Sequence, residues 1–204
     1  MVTLASVSVL LLAYLIGSIP VGVLVGKAFG FDPRAVGSHN IGMTNVGRAG
    51  GRTAATLTLV GDVLKGLAPI LIGQALDVSQ GGLALIALAT LVGAVYSVFL
   101  GFSGGRGIAA AFGIWLGLAP TSVAMVLLAV FVVVMAVSRI VSLASVSAAL
   151  VLPIAVALCS QEQYFLMSLA MTALILWRHR ENIERLAAGN EPVVGSGRKE
   201  SSAA

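Results

Sequence analysis

Residues 53–76 read TAATLTLVGDVLKGLAPILIGQAL, an apolar run that carries two charged side chains, Asp62 and Lys65. A bilayer core of about 30 Å needs about 20 helical residues to cross it, so this run has the length of a membrane-spanning helix. Asp62 and Lys65 lie three positions apart and share one helix face, where pairing offsets part of the cost of burying charge. The pair is interpreted either as part of a functional site or as a structural ion pair that holds this helix to a neighbour.

Similar apolar runs recur along the chain, which is 58% hydrophobic and 10% charged. Too little polar surface remains to cover a soluble globule, so the sequence predicts an all-α polytopic membrane protein. Seven transmembrane helices are predicted at residues 3–26, 53–76, 82–101, 107–119, 121–138, 143–160 and 163–179. The small residues predicted to let these helices approach one another closely are Gly17, Gly22, Gly26, Gly113 and Gly117.

The basic residues predict the orientation of the chain in the membrane. With the amino terminus outside, all 12 lysines and arginines fall on or toward the cytoplasmic side, whereas the opposite loops keep Asp77 and Glu162. The carboxyl terminus is then cytoplasmic. The net charge of +4 is explained by this orientation and by anionic lipid, and it does not indicate nucleic acid. Residues 1–185 form the predicted membrane domain, and residues 186–204 a polar, disordered cytoplasmic tail.

A polar loop, residues 37–48 with the sequence GSHNIGMTNVGR, separates the first two predicted spans. Its glycines allow successive backbone N–H groups to converge, and Ser38, Asn40 and Asn45 add side-chain donors. Arg48 adds a planar positive group that suits phosphate oxygens. The loop therefore predicts a phosphate site, with a polar turn between two membrane helices as the alternative.

A second candidate loop, residues 101–107 with the sequence GFSGGRG, leads into the fourth predicted span. Gly104, Gly105 and Gly107 surround Arg106 immediately before a helix begins. Backbone N–H groups at the positive end of a helix dipole form a natural site for an anion. Glycine-rich turns before membrane helices are also common, so this loop alone is weak evidence.

The end of the seventh predicted span, residues 178–185, reads RHRENIER. His179 and Asn182 lie three positions apart and share a helix face. Basic residues that close a span are often interfacial anchors, which is the alternative for Arg178 and Arg180. All of these polar stretches fall on the predicted cytoplasmic side, so we expect them to meet in one pocket.

Together the stretches resemble one family, the bacterial integral-membrane glycerol-3-phosphate acyltransferases that use acyl phosphate, the PlsY type. The resemblance runs from residue 17 to about residue 191 and rests on several motifs in the same order. These motifs are GSIP at 17–20, GSHNIGMTN at 37–45 with Arg48, Asp62 with Lys65 and Gly66, VFLGF at 98–102 with GGRG at 104–107, VSLAS at 141–145, and HRENI at 179–183 with Arg185 and Leu186.

The resemblance implies a seven-helix enzyme of the bacterial inner, cytoplasmic membrane whose site faces the cytoplasm. Such an enzyme moves a fatty acyl group from acyl phosphate to the 1-hydroxyl of glycerol 3-phosphate and gives lysophosphatidic acid. Membrane lipid and these two substrates are the expected partners, with no cofactor, metal ion, nucleic acid or protein partner. Ser38, Asn182 and His179 are the implied catalytic residues: the first two orient phosphate, and His179 positions or accepts a proton. A substrate phosphate is the alternative base. The expected phosphate-binding residues are Arg48, Arg106, Ser142, Gly104, Gly105, Gly107, Asn40, Asn45 and Lys65.

The sequence departs from the family pattern at several positions. A glycine usually stands where this chain has His39, an alanine at Met43 and a lysine at Arg106; histidine, proline and lysine are common at Ala94, Ser97 and Ser103. Arginine is a planar fork and lysine a compact point charge, so the change at Arg106 is not neutral by default. Two alternatives therefore stay open: a transporter of an anionic metabolite, and an inactive paralogue that retains the phosphate pocket.

Overall fold

The computed structural model describes residues 4–118, 121–159 and 161–195. Within these ranges every regular element is helical, which confirms the all-α prediction. The predicted span ends at residues 3, 119 and 160 lie outside the described residues. The chain divides into two compact units, Met1–Thr121 and Ser122–Ala204, and each is described by itself.

The first unit contains five α-helices and the second contains four, counted over the described residues. They are α1 Leu4–Ser18, α2 Val21–Ala28, α3 Met43–Ala75, α4 Gln80–Val95, α5 Ile108–Gly117, α6 Ser122–Ser138, α7 Val141–Leu158, α8 Phe165–Arg178 and α9 Arg180–Ala187. Four described stretches are long and apolar enough to cross a membrane: Val7–Ala28, Met43–Ala75, Gln80–Leu100 and Val141–Leu158. Helices α5 and α6 are apolar but shorter.

Two interruptions shape the first unit. The first predicted span is divided into α1 and α2 at Pro20, which has no N–H to continue the helical hydrogen bonding. Helix α3 is kinked at Gly51, whose φ of 76° lies in the left-handed region that glycine adopts without steric cost. Residues 43–50 therefore form a separate first segment of α3 that carries Arg48, and the apolar segment that follows matches the predicted second span.

The predicted glycine packing is confirmed where helices touch. In the first unit, a Cβ atom at Gly17 would collide with the Thr90 carbonyl of α4, and one at Gly113 with the Val63 carbonyl of α3. These glycines let the helix backbones come into direct contact. Gly22 and Gly26 of α2 differ, because Cβ atoms there would collide with the carbonyls of Ile41 and Phe31, which lie in the chain between α2 and α3.

In the second unit, α7 packs against α6 and α8, and the Thr172 hydroxyl of α8 donates to the Ala149 carbonyl of α7 over 2.9 Å. The chain remains ordered beyond α9. The Val194 N–H donates to the Arg139 carbonyl at the junction of α6 and α7, over 2.8 Å. The tail predicted at residues 186–204 thus begins with a described stretch, 186–195, that includes this contact, and residues 196–204 lie outside the described part of the chain.

Candidate functional site

The first polar loop is held in shape by Asn45, which lies in the first turn of α3 and is 2% exposed. Its Nδ2 donates to the carbonyls of Pro33, Val36 and Asn40 at 2.8–3.0 Å, and its Oδ1 accepts from the Ser38 N–H. The amide is thus fully engaged by the loop's own backbone. Asn45 was predicted as a phosphate ligand, and in this structure its amide makes hydrogen bonds to the backbone of residues 33–40.

His39 occupies the turn of this loop with a φ of 55°. Few residues other than glycine adopt this conformation without cost, which gives a physical reason for the glycine usual in the family at this position. The imidazole is exposed, and its Nδ1 lies 2.8 Å from the Arg34 carbonyl. This hydrogen bond offsets part of the cost of the left-handed backbone at a non-glycine residue.

The side chains that the loop leaves accessible are those best suited to an anion. Ser38 is exposed, and Arg48 is exposed on the first segment of α3 without an ion pair among the described residues. Asn40 is half-buried and accepts from the Gly42 N–H over 3.3 Å. Hydroxyl and guanidinium donors therefore remain available at the surface of the loop, as the sequence predicts.

The glycine-rich loop lies against the first loop in the first unit. A Cβ atom built at Gly105 would be 3.6 Å from the Ile41 side chain and 3.9 Å from the Asn40 amide oxygen. Two predicted phosphate donors are already used, since the N–H groups of Gly104 and Gly105 donate to the carbonyls of Val95 and Ala94 at 3.0 Å. The structure thus brings the two loops together but engages these amides within the protein.

Gly107 ends the glycine-rich loop and precedes α5 with a φ of 78°. Its left-handed backbone turns the chain directly into the helix. The first N–H groups of any α-helix lack acceptors within the helix, so the first turn of α5, residues 108–110, is a better source of anion donors than Gly104 and Gly105. Arg106 is half-buried immediately before this turn.

Lys65 does not reach either loop. Its Nζ lies 2.8 Å from Oδ1 of Asp62 and donates to the Ile19 carbonyl over 3.0 Å, and its side chain is 7% exposed. Of the two interpretations given by the sequence, these contacts match the structural ion pair. Lys65 was also predicted as a phosphate contact, and in this structure its ammonium group is engaged by the protein.

In the second unit, His179 lies at the junction of α8 and α9 and is 1% exposed. Its Nδ1 donates to the Ile175 carbonyl over 2.8 Å. A carbonyl only accepts, so Nδ1 carries a proton, and Nε2 is the ring nitrogen that can act as a base when the imidazole is neutral. This is the tautomer that a general base acting through Nε2 requires.

Asn182, one turn further along α9, is 2% exposed and donates from Nδ2 to Oε1 of Glu191, over 2.5 Å. Arg185 forms an ion pair with Oε2 of the same carboxylate at 2.7 Å. The buried Ser142 hydroxyl also lies against this carboxylate, although without a hydrogen bond of regular geometry. Asn182 was predicted as a catalytic residue and Ser142 as a phosphate-binding residue, and the structure places both beside one carboxylate.

That anion, Glu191, is the residue that the sequence analysis missed. Burial raises its pKa, but the nearby Ser142 hydroxyl, hydrogen bonds from Asn182 and Arg185 and the charge of Arg185 lower it, so the net pKa lies below the ordinary value. The carboxylate is therefore held ionised. The sequence signal was slight, since Glu191 lies in a stretch whose composition indicated disorder.

Two of the departures from the family pattern have clear contacts in the first unit. Ser97 is buried, and its hydroxyl donates to the Ser18 carbonyl at the end of α1. Ala94 is buried, and its carbonyl accepts from the Gly105 N–H. Both positions thus support the glycine-rich loop or the end of α1 through hydrogen bonds that this chain makes itself.

The long apolar helices define the class of integral membrane proteins, and each unit carries a group of polar side chains. A family model for glycerol-3-phosphate acyltransferase matches residues 7–189. The chain belongs to this family, which confirms the resemblance seen in the sequence.

Relatives and solved structures agree with this assignment. Glycerol-3-phosphate acyltransferases of Geotalea daltonii and Geobacter metallireducens are 48% and 49% identical to this chain, covering 89% and 91% of it and 93% and 96% of their own lengths. The crystal structure of PlsY (YgiH), an integral membrane glycerol 3-phosphate acyltransferase in its glycerol 3-phosphate form, is similar with a TM-score of 0.88. The two are 37% identical, with 94% of this chain and 96% of that chain covered. The lysophosphatidic acid form of PlsY has a TM-score of 0.87 and 36% identity.

Proposed function

We propose that this protein transfers a fatty acyl group from acyl phosphate to the 1-hydroxyl of glycerol 3-phosphate, giving lysophosphatidic acid and inorganic phosphate. The family match over residues 7–189 carries the proposal. The solved PlsY structures support it, because one is a glycerol 3-phosphate form and the other a lysophosphatidic acid form. Formation of lysophosphatidic acid is the first step of phospholipid synthesis.

In the first unit, phosphate groups are bound by Arg48, Arg106, Ser38 and the first N–H groups of α5. Acyl phosphate is an activated anhydride, so the reaction chiefly needs neutralisation of negative charge and alignment of the two substrates. The contact between the two polar loops supports a common role for these residues. Asn45, Gly104 and Gly105 keep the loops in shape, and Asn40 lies where they meet.

In the second unit, His179 accepts or positions the proton of the attacking hydroxyl, and Asn182 and Ser142 orient the substrate. The hydroxyl oxygen bonds to the acyl carbon, and the carbon–oxygen bond to phosphate breaks with the electron pair leaving on phosphate. The hydroxyl proton passes to Nε2 of His179 or, in the alternative route, to a substrate phosphate. The Nδ1 hydrogen bond to Ile175 supports the first route, because it leaves the lone pair on Nε2.

The membrane arrangement that we propose has seven spans, with the amino terminus outside and the site at the cytoplasmic face of the bacterial inner membrane. The four long apolar stretches and the shorter helices α5, α6 and α8 support seven crossings. The distribution of lysine and arginine supports the orientation. A green fluorescent protein fused to the carboxyl terminus should fluoresce, as it does only when it folds in the cytoplasm; a dark fusion of the inserted protein would contradict this topology.

The decisive experiment supplies purified protein with palmitoyl phosphate and labelled glycerol 3-phosphate. We expect labelled lysophosphatidic acid together with one inorganic phosphate for each acyl group transferred. His179→Ala should abolish product while the protein stays inserted and monodisperse. Binding of glycerol 3-phosphate without product would indicate the inactive paralogue, and protein-dependent flux of glycerol 3-phosphate into liposomes without acylation would indicate a transporter.

A further inference from the structure

The break between α1 and α2 leaves backbone carbonyls that the rest of the first unit must satisfy. Pro20 has no N–H group, so the helix cannot continue through it. The Ser18 carbonyl accepts from the Ser97 hydroxyl of the segment that follows α4. The Ile19 carbonyl accepts from the Val21 N–H and, across to α3, from Nζ of Lys65.

Placing the charge of Lys65, the residue that contacts this break, in an apolar helix costs free energy. Lys65 and Asp62 are 7% and 16% exposed, and a charge near the centre of a bilayer costs about 2.5–3.5 kcal/mol on insertion scales. Their ion pair offsets this cost, but two apolar side chains would avoid it altogether. Two apolar side chains at positions 62 and 65 could not donate a hydrogen bond to the Ile19 carbonyl, as Lys65 does.

Helix α2, which starts at the break, supports the first polar loop. At its beginning, Val21 packs against Gly61 of α3, one turn before Lys65. A Cβ atom at Gly22 would collide with the Ile41 carbonyl of the loop. At its end, a Cβ atom at Gly26 would be 2.8 Å from the Phe31 carbonyl. The position of α2 therefore sets the position of the loop.

The first polar loop in turn contacts the glycine-rich loop, because the Ile41 side chain lies beside Gly105. A shift of α2 would displace Ile41 and with it the surface on which the glycine-rich loop rests. Lys65 and Ser97 hold the start of α2 from two sides through adjacent carbonyls.

We propose that Lys65 is a positioning residue for substrate binding: by holding the Ile19 carbonyl, it fixes α2 under the first polar loop and so keeps Ser38 and Arg48 in place. Asp62 neutralises the charge that this contact brings into the helix. The expected change in KM rests on the proposed function, whereas the expected position of α2 and the first polar loop does not depend on it.

The test uses Lys65→Met combined with Asp62→Asn, which removes both charges together and avoids leaving one of them buried and unpaired. We expect the double variant to remain folded, with the KM for glycerol 3-phosphate raised about 10-fold and kcat changed less than about 3-fold, since binding and not the chemical step is disturbed. Ser97→Ala releases the adjacent carbonyl and should raise the KM in the same direction.

Gln74→Met is the matched control. Gln74 lies on α3 and donates to the Gly117 carbonyl over 2.9 Å, so this variant also removes a contact between a side chain and a carbonyl, far along the helix from both loops. We expect its KM to equal that of the wild type.

A measurement that needs no turnover separates the inference from the proposed function. Backbone hydrogen exchange over residues 21–42 should be faster in the double variant than in the wild type or in Gln74→Met, because α2 has lost its anchor. Unchanged exchange and unchanged KM in the folded double variant would overturn the inference. A raised KM with unchanged exchange, together with a normal KM in Ser97→Ala, would overturn it in favour of direct phosphate binding by Lys65. Absence of acyl transfer by the wild type would overturn the proposed function, and the exchange result would still decide the role of Lys65.

Discussion

Nδ2 of Asn182 donates a hydrogen bond to Oε1 of Glu191, which joins a buried residue of α9 to the segment that follows this helix. The carboxylate also pairs with Arg185 and touches Ser142. A single glutamate thus holds the positions of two residues expected to contact substrate. Its conformation is fixed by these contacts, although its surroundings in the sequence are polar and aperiodic.

Glu191→Gln should lower the thermal midpoint at pH 7 by about 2–8 °C, because it removes the negative charge that accepts hydrogen bonds from Asn182 and Arg185. The folded pKa of Glu191 is lowered, so its contribution to stability is present above the ordinary pKa of 4.5 and is lost as the pH falls through the folded value. The difference between the variant and the wild type should therefore disappear in acid. Thermal unfolding in detergent between pH 3 and pH 7 measures this; Glu184→Gln, an exposed change on α9, should show no difference at either end.

Arg48→Ala should reduce kcat/KM for glycerol 3-phosphate by about 10- to 100-fold, since hydrogen bonds to charged groups are worth about 1.5–3 kcal/mol. Arg52→Ala is the control. It removes an exposed arginine just beyond the kink at Gly51, outside the segment that carries Arg48. Initial rates of lysophosphatidic acid formation compare the two, and equal losses would show that general surface charge, not Arg48 itself, attracts the substrate.

His39→Gly should leave the thermal midpoint within about 2 °C of the wild type. Glycine relieves a left-handed backbone that costs other residues about 1–2 kcal/mol, but it loses the hydrogen bond to the Arg34 carbonyl. His39→Val keeps the unfavourable φ and adds a β-branched side chain, so it should lower the midpoint by about 4 °C or more. A stable valine variant would mean that the loop changes its backbone conformation when the imidazole is absent.

Gly113→Ala should destabilise the first unit by about 1–3 kcal/mol or more, because its Cβ atom would overlap the Val63 carbonyl of α3. Gly81→Ala lies near the start of α4 with open space around its Cβ position, so it should leave stability unchanged or slightly raised. Size-exclusion chromatography after stepwise heating would compare how much folded protein each variant retains. Equal retention by the two variants would contradict the close packing of α3 and α5.

The all-helical fold, the approximate helix ends and the chemical character of the two polar loops could all be predicted from the sequence. Apolar length, Pro20, the glycines and the distribution of charge are local signals, so each can be interpreted without knowing what lies next to it in space. The resemblance of the motifs to the family added the substrates that Ser38, Arg48 and His179 are expected to contact. These features depend on the order of residues along the chain.

Only the tertiary structure decided which donors are already engaged. Lys65 and Ser97 donate hydrogen bonds to carbonyls that lie 46 and 79 residues away in the sequence. The amide of Asn45 donates to the backbone of its own loop. The role of Glu191 could not be predicted from the sequence, because the groups that surround its carboxylate lie on α7 and α9 and are not its neighbours in sequence. The sequence determines which donor and acceptor groups a polar residue has. Whether these groups bind a ligand or other parts of the protein depends on which groups the folded chain places within hydrogen-bonding distance.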